Sequence, residues 1–199
     1  MAINIFKKET DIKLPHKYQL LFILFFSGLS GFLVAVGLTP SWEVSVEAGQ
    51  VLAGIVKYPA HNIPQYMCLV KIWTILNQLS AIFLRLGLSE AVVSFMVTGL
   101  VGAVSFQALA LLFFSISRNI FLSLMVPFFI YSMSYTGNGV VYPIYLMGSP
   151  TPYGRLGLVF ILLVIGLFNS GYLKTACFLL GIGPGVHFSL GAYCILLIF

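Results

Sequence analysis

An all-α, polytopic transmembrane helical bundle, with short interfacial helices after the first span, is the fold class this sequence predicts. Two observations carry that expectation. Hydrophobic residues make up 60% of the 199 positions and charged residues 8%, against about 45–50% and about 25% in soluble domains. So few polar side chains cannot cover a water-facing surface. The second observation is the texture of the apolar runs. Leu20 to Phe26 and Val159 to Phe168 are apolar on every side, whereas barrel strands alternate about every two residues. Within lipid the backbone must satisfy its own hydrogen bonds, and with barrels set aside only helices do so.

The charge pattern points the same way. A net charge of +5 could suggest nucleic acid, yet no basic cluster carries it. Four of the ten basic residues, Lys7, Lys8, Lys13 and Lys17, precede the first apolar run, and the others stand singly between hydrophobic segments. Cytoplasmic loops of membrane proteins carry such an excess. The expectation is therefore a multi-pass protein of the cytoplasmic (inner) membrane. Residues 1–17 form a cytoplasmic N-terminal segment, and 18–199 a transmembrane domain that includes an extracytoplasmic loop at 39–64. Its partners are membrane lipid and not nucleic acid.

Taken in order, the first span covers about 18–38 and ends at Gly37 and Pro40. A cleavable signal peptide competes for this stretch, with Ala35–Val36–Gly37 as its cleavage site. The run from Tyr18 to Leu38 has 21 residues, beyond the roughly 7–15 of a signal core and close to the ~20 needed to span. An uncleaved helix is expected. Ser41 then suits an N-cap, and 42–57 forms a helix too short and polar to cross, lying in the interface or packed on other spans. Tyr58–Pro59–Ala60–His61–Asn62–Ile63–Pro64 breaks it.

Residues 65–87 are long enough to cross, yet Lys71, Thr74, Asn77, Gln78 and Arg85 share an arc of roughly 120° at 100° per residue. Either a span turns this polar stripe to the bundle or the helix is interfacial. A spanning helix puts Arg85 and Arg155 inside, and an interfacial one Arg118 and Lys174. The interfacial form is expected, because it keeps the 137–152 loop on the face of Glu43. Further spans follow at about 91–116, 119–136 and 154–171, with a polar Gly/Pro-rich loop from Thr136 to Tyr153. A last apolar region from Thr175 to Phe199 is expected to break at Gly183–Pro184–Gly185. It stops inside an apolar run, as a chain that continues beyond Phe199 would. Gly99 and Gly102 read as helix packing, and Cys68, Cys177 and Cys194 as small buried hydrophobes with no metal-type spacing.

Chemistry concentrates in Trp42–Glu43–Val44–Ser45–Val46–Glu47. Glu43 and Glu47 are four apart, share a helix face and repel by about 0.2–0.5 kcal/mol when both are charged. Glu43 sits in the first turn, where the helix dipole favours it, and Lys57 suits the other end. Neither effect accounts for Glu47, which has no cation three or four residues away. A carboxylate pair beside a membrane suits a general base or a cation ligand, so a divalent cation is the one cofactor considered. Lys57, His61 and Asn62 follow within 20 residues. Tyr142 and Arg155 belong to the polar loop, and Arg155 offers a bidentate contact to phosphate. His187, within an apolar region, is expected to find a structural hydrogen-bond partner. No Walker loop, dinucleotide fingerprint, HExxH or GxSxG motif occurs.

A first span, a loop with an acidic pair, a reclining helix and many later spans resemble the glycosyltransferase C superfamily, membrane enzymes that take sugar from a polyprenyl-phosphate donor. The layout covers most of the chain. Residues 42–62 also look like the N-terminal part of larger bacterial membrane proteins so arranged. The resemblance implies that Glu43 or Glu47 is the catalytic base, that Lys57 and Arg155 meet the donor phosphate, and that His61, Asn62 and Tyr142 help to bind substrate. Many members carry an aspartate in a paired acidic motif, whereas here both residues are Glu with three residues between them. The competing reading is a transporter or lipid-handling membrane protein, with Lys71, Gln78 and Arg85 lining a pathway. A non-catalytic membrane subunit is the third.

Overall fold

The computed structural model describes residues 16–39, 43–58, 64–71, 73–136 and 153–198, and among them every regular element is an α-helix. Among the described residues, two helices are long and apolar enough to cross a membrane: α1 (His16–Leu38) and α5 (Glu90–Ser117). At 1.5 Å per residue they measure about 34 Å and about 42 Å, against a hydrocarbon core of about 30 Å. α6 (Ile120–Thr136), α7 (Tyr153–Asn169), α8 (Leu173–Val186) and α9 (Phe188–Ile198) are shorter. α2 (Glu43–Ala53), α3 (Pro64–Lys71) and α4 (Ile75–Arg85) lie between the two long ones.

The faces of α1 show which solvent it suits. Ser27, Gly28, Gly31 and Ala35 are buried, while Leu21, Phe22, Phe25, Phe26, Leu29 and Leu33 are exposed. A soluble helix buries its large apolar side chains and exposes polar ones. Leu20 and Ile23 are buried near the start of α1, but from Ser27 to Ala35 the order is reversed, as in membrane helices, where small residues let backbones approach.

That approach is made on α5, which runs antiparallel to α1 and forms the centre of the bundle. A β-carbon at Gly31 would lie 2.3 Å from the Gly102 carbonyl oxygen, and one at Gly102 would lie 2.2 Å from Ala35 Cβ. Gly99 faces the Phe32 ring. One turn away, Gly28 leaves room for Gln107, whose Nε2 donates to the Leu24 carbonyl at 3.0 Å. α7 packs on α5 in parallel, Leu156 level with Val101 and Gly166 against Leu111.

Two apolar cores stack along α5. Ala110, Leu111 and Phe114 meet Leu20, Ile23, Val164 and Leu180 near one end. Val93, Val97 and Val101 meet Val46, Leu76, Leu84 and Leu156 near the other. Because α1 stops near the level of Val97, the first two turns of α5 project beyond it, and α2 and α4 surround them.

Two expected elements are corrected. The segment 65–87 is two helices, not one, because Thr74 takes an extended conformation (φ −135°, ψ 152°) and its side chain accepts the Asn77 N–H at 3.2 Å, starting α4 afresh. At about 12 Å and about 17 Å neither α3 nor α4 can cross a bilayer. α4 packs on α2, α5 and α8, not along α1. The C-terminal break falls at His187, not at Gly183–Pro184–Gly185. α8 runs through Pro184, and Gly183 meets Gly191 where α8 crosses α9: a β-carbon on Gly191 would lie 2.3 Å from the backbone of Gly183. These glycines serve packing. His187 is extended (φ −152°, ψ 109°), and its Nδ1 accepts the Leu190 N–H at 3.3 Å, so it caps α9. Cys177 is exposed on α8 rather than buried.

Candidate functional site

A cleft of about 390 Å³ opens between α2 and the projecting turns of α5, lined by Glu43, Val46, Glu47, Gln50, Glu90, Ala91 and Ser94. The chain has five acidic residues. Two, Glu9 and Asp11, belong to residues 1–17, and the other three all line this cleft.

Each wall has a local cause. On α2, Glu43, Val46, Glu47 and Gln50 recur at helical spacing and face α5. The opposite face is seated on α4, with Ser45 and Ala48 fully buried and Gly49 against Ser80 and Ala81. The end of α2 is fixed twice. Gly54, at φ +79°, lets the Ile55 N–H reach the Gln50 carbonyl at 3.0 Å, a Schellman closure. Arg85, from the last turn of α4, donates to the Leu52 carbonyl. On α5, the Ser89 side chain accepts the Val92 N–H at 3.4 Å, so Glu90 opens the helix.

Helix electrostatics account for Glu43 and Glu90, each in a first turn and favoured by the positive end of a helix dipole. Glu47 is a turn further on. It is exposed at the cleft with no such gain, and it adds a third negative charge. Ser94 contributes a buried hydroxyl oxygen that has no hydrogen-bond partner.

Glu90 is the residue that sequence reasoning missed. Ser89–Glu90 reads as an ordinary start to an apolar span. The scarcity of carboxylates was the available signal, since outside residues 1–17 only Glu43, Glu47 and Glu90 occur.

The other expected site residues are not brought to this cleft among the described residues. Lys57 is exposed past the end of α2 and is not part of the lining. Arg155 falls in the first turn of α7, its side chain outside the described part, and His61, Asn62 and Tyr142 lie outside the described residues. Of the residues expected to line a pathway, Lys71 belongs to α3, while Gln78 and Arg85 belong to α4, where Arg85 caps α2. Among the described residues no group of three or more His, Cys, Asp or Glu side chains is arranged to hold a metal ion. The described part of the cleft therefore does not fit a metal centre with three such protein ligands.

A second cavity, of about 180 Å³, lies further along α5 and is walled by α4, α5, α7 and α8. Leu100, Val101, Val104, Leu76, Phe160 and Ile182 give it an apolar lining. Val101 is seven residues from Ser94, about 10 Å along the helix axis.

These features define an all-α helical protein with two membrane-type helices and an acidic cleft at one end. Comparison with protein-family models, with curated proteins and with solved structures gave no match.

Proposed function

We propose that this chain is a lipid-handling, multi-pass protein of the cytoplasmic membrane, and that its acidic cleft receives the cationic headgroup of an amphiphile on the outer face. One observation carries the reading. The three carboxylates outside residues 1–17 converge on one cleft, and a wholly apolar cavity lies about 10 Å further along the same helix. An amine-bearing head and an aliphatic tail are the ligand chemistry that complements such a pair. Orientation follows from Lys17, Arg118 and Lys174, which stand at the opposite end of the bundle, with Lys7, Lys8 and Lys13 upstream in sequence, six cations against Lys57, Lys71, Arg85 and Arg155 on the segments nearer the cleft. By the excess of cations on the cytoplasmic side, that end is inside and the cleft outside.

The test uses the full chain in a neutral detergent, with dodecylammonium and dodecanol as probes, read by thermal unfolding and native mass spectrometry. Dodecylammonium should bind and raise the unfolding temperature far more than dodecanol. Glu47→Gln together with Glu90→Gln should remove the difference. Equal response to the two probes in the unaltered protein would defeat the reading.

The glycosyltransferase reading keeps one observation in its favour: Glu47, unexplained by helix electrostatics, is an exposed carboxylate lining a cleft, the kind of group a general base would be. Sugar transfer from a polyprenyl-phosphate donor also needs positive charge at the leaving phosphate. The described lining supplies carboxylates, an amide and a hydroxyl instead. Transfer of labelled sugar from such a donor, abolished by Glu47→Gln, would reverse the preference.

A further inference from the structure

We propose that the basic end of the bundle is a binding surface for the phosphate of an anionic phospholipid, built on Arg118, His16, Lys17 and Lys174. The inference rests on the membrane reading but not on the acidic cleft.

Arg118 closes α5 in the left-handed region (φ 55°, ψ 17°), its N–H bonded to the Phe114 carbonyl at 3.0 Å. Non-glycine residues seldom adopt that conformation, and the other positive-φ positions, Gly54, Gly87 and Gly171, are glycines. Here a long cationic side chain is kept instead. It turns back along α5, with the guanidinium carbon 5.9 Å from the Phe114 ring centre and NH1 3.3 Å from His16 Nε2. His16 is itself stacked on Phe114, ring centres 5.6 Å apart and planes at 16°, with Tyr172 beside it at 6.4 Å. Phe114 and His16 thus hold the guanidinium at the surface, and Tyr172 packs on His16 from beside it. His16 takes one of the guanidinium's five N–H donors.

The neighbouring cations are placed against helix electrostatics. Lys17 is the second residue of α1 and Lys174 the second of α8, so both add positive charge at the positive end of a helix dipole. α8 also lacks a side-chain N-cap, which leaves its first N–H groups turned towards the same end. Among the described residues no Asp or Glu stands at this end; Glu9 and Asp11 precede Lys17 in sequence, together with Lys7, Lys8 and Lys13. Such an arrangement is unfavourable alone and favourable around an anion.

The anion is assigned to a lipid because of what flanks the charges. Leu21, Ile116, Phe121 and Leu173 are exposed within about a turn of them, an apolar rim on which acyl chains lie while the phosphate meets Arg118 and Lys174. Basic groups at a membrane surface contribute about 1 kcal/mol each towards anionic lipid, or about fivefold in affinity.

Native mass spectrometry on the full chain in neutral detergent, titrated separately with phosphatidylglycerol and phosphatidylcholine, tests this. Phosphatidylglycerol should bind clearly more tightly. Lys174→Gln, at an exposed side chain, should weaken it about fivefold, and Lys174→Gln with Arg118→Ala about 25-fold, with phosphatidylcholine unchanged. Inorganic phosphate at equal concentration should not displace the lipid. Equal binding of the two lipids, an unchanged phosphatidylglycerol affinity in the double variant, or full displacement by inorganic phosphate would each overturn the proposal. Since the dodecylammonium response is read at the other end of the molecule, either proposal can fail alone.

Discussion

Arg85, in the last turn of α4, donates to the carbonyl of Leu52 in the last turn of α2, 33 residues earlier in the chain. This bond ties together the two short helices that surround the projecting start of α5, and so it fixes the wall carrying Glu43 and Glu47. Arg85→Ala should cost about 1 kcal/mol, below the roughly 1.5–3 kcal/mol of a buried charge-assisted bond because the group is exposed. Arg85→Lys should recover part of that. Hydrogen exchange on α2 amides would show the loss locally. If exchange in 43–53 were unchanged in Arg85→Ala, α2 would be held by burial alone.

The crossing of α1 and α5 makes a steric prediction. Gly31→Ala would bring its methyl against the backbone at Gly102, where no flexible side chain can move aside. It should separate the helices and leave little folded protein by size-exclusion chromatography. Gly37→Ala, on the same helix, meets nothing within 4 Å. It should be neutral or stabilising by up to about 1 kcal/mol through helix propensity. Similar stability for both variants would contradict this packing.

Much of the fold was legible because composition speaks directly to helices in lipid. The spans read at 18–38 and 91–116 differ from α1 and α5 by no more than two residues at any end. What was not legible turns on local devices without a sequence flag. The α3/α4 break carries no glycine or proline, only Thr74 acting as a cap. The Gly183–Pro184–Gly185 triplet looks like a break but is a close helix crossing. In the candidate site, the Glu43–Glu47 pair was visible from its four-residue spacing. Glu90 was not, because its place in the cleft depends on α5 outreaching α1, a length relationship between distant segments.

Sidedness can be measured directly. In a cysteine-free background, single cysteines at Asp11 and Lys174 should be labelled by an impermeant reagent only after lysis. Cysteines at Lys57 and His61 should react in intact cells. Labelling of 57 and 174 from the same side would mean that α5, α6 and α7 do not cross as proposed.

The carboxylates of α2 make the last prediction, because two effects of opposite sign act on them. Glu43 gains from the dipole of its own helix, worth about 0.3–1 kcal/mol at an exposed first turn. Glu47 has no such gain and repels Glu43 four residues away, by about 0.2–0.5 kcal/mol. Glu43→Gln should therefore lower the unfolding temperature slightly, while Glu47→Gln should raise it slightly and still weaken dodecylammonium binding. That combination, a gain in stability with a loss of binding, marks a residue retained for its ligand and not for the fold. Salt supplies the control. At about 1 M the screening length falls to about 3 Å, and the stability difference between the variants should largely collapse. If Glu47→Gln were destabilising at both low and high salt, Glu47 would be holding the fold together through its packing or hydrogen bonding, and its place in the cleft would need no ligand to explain it.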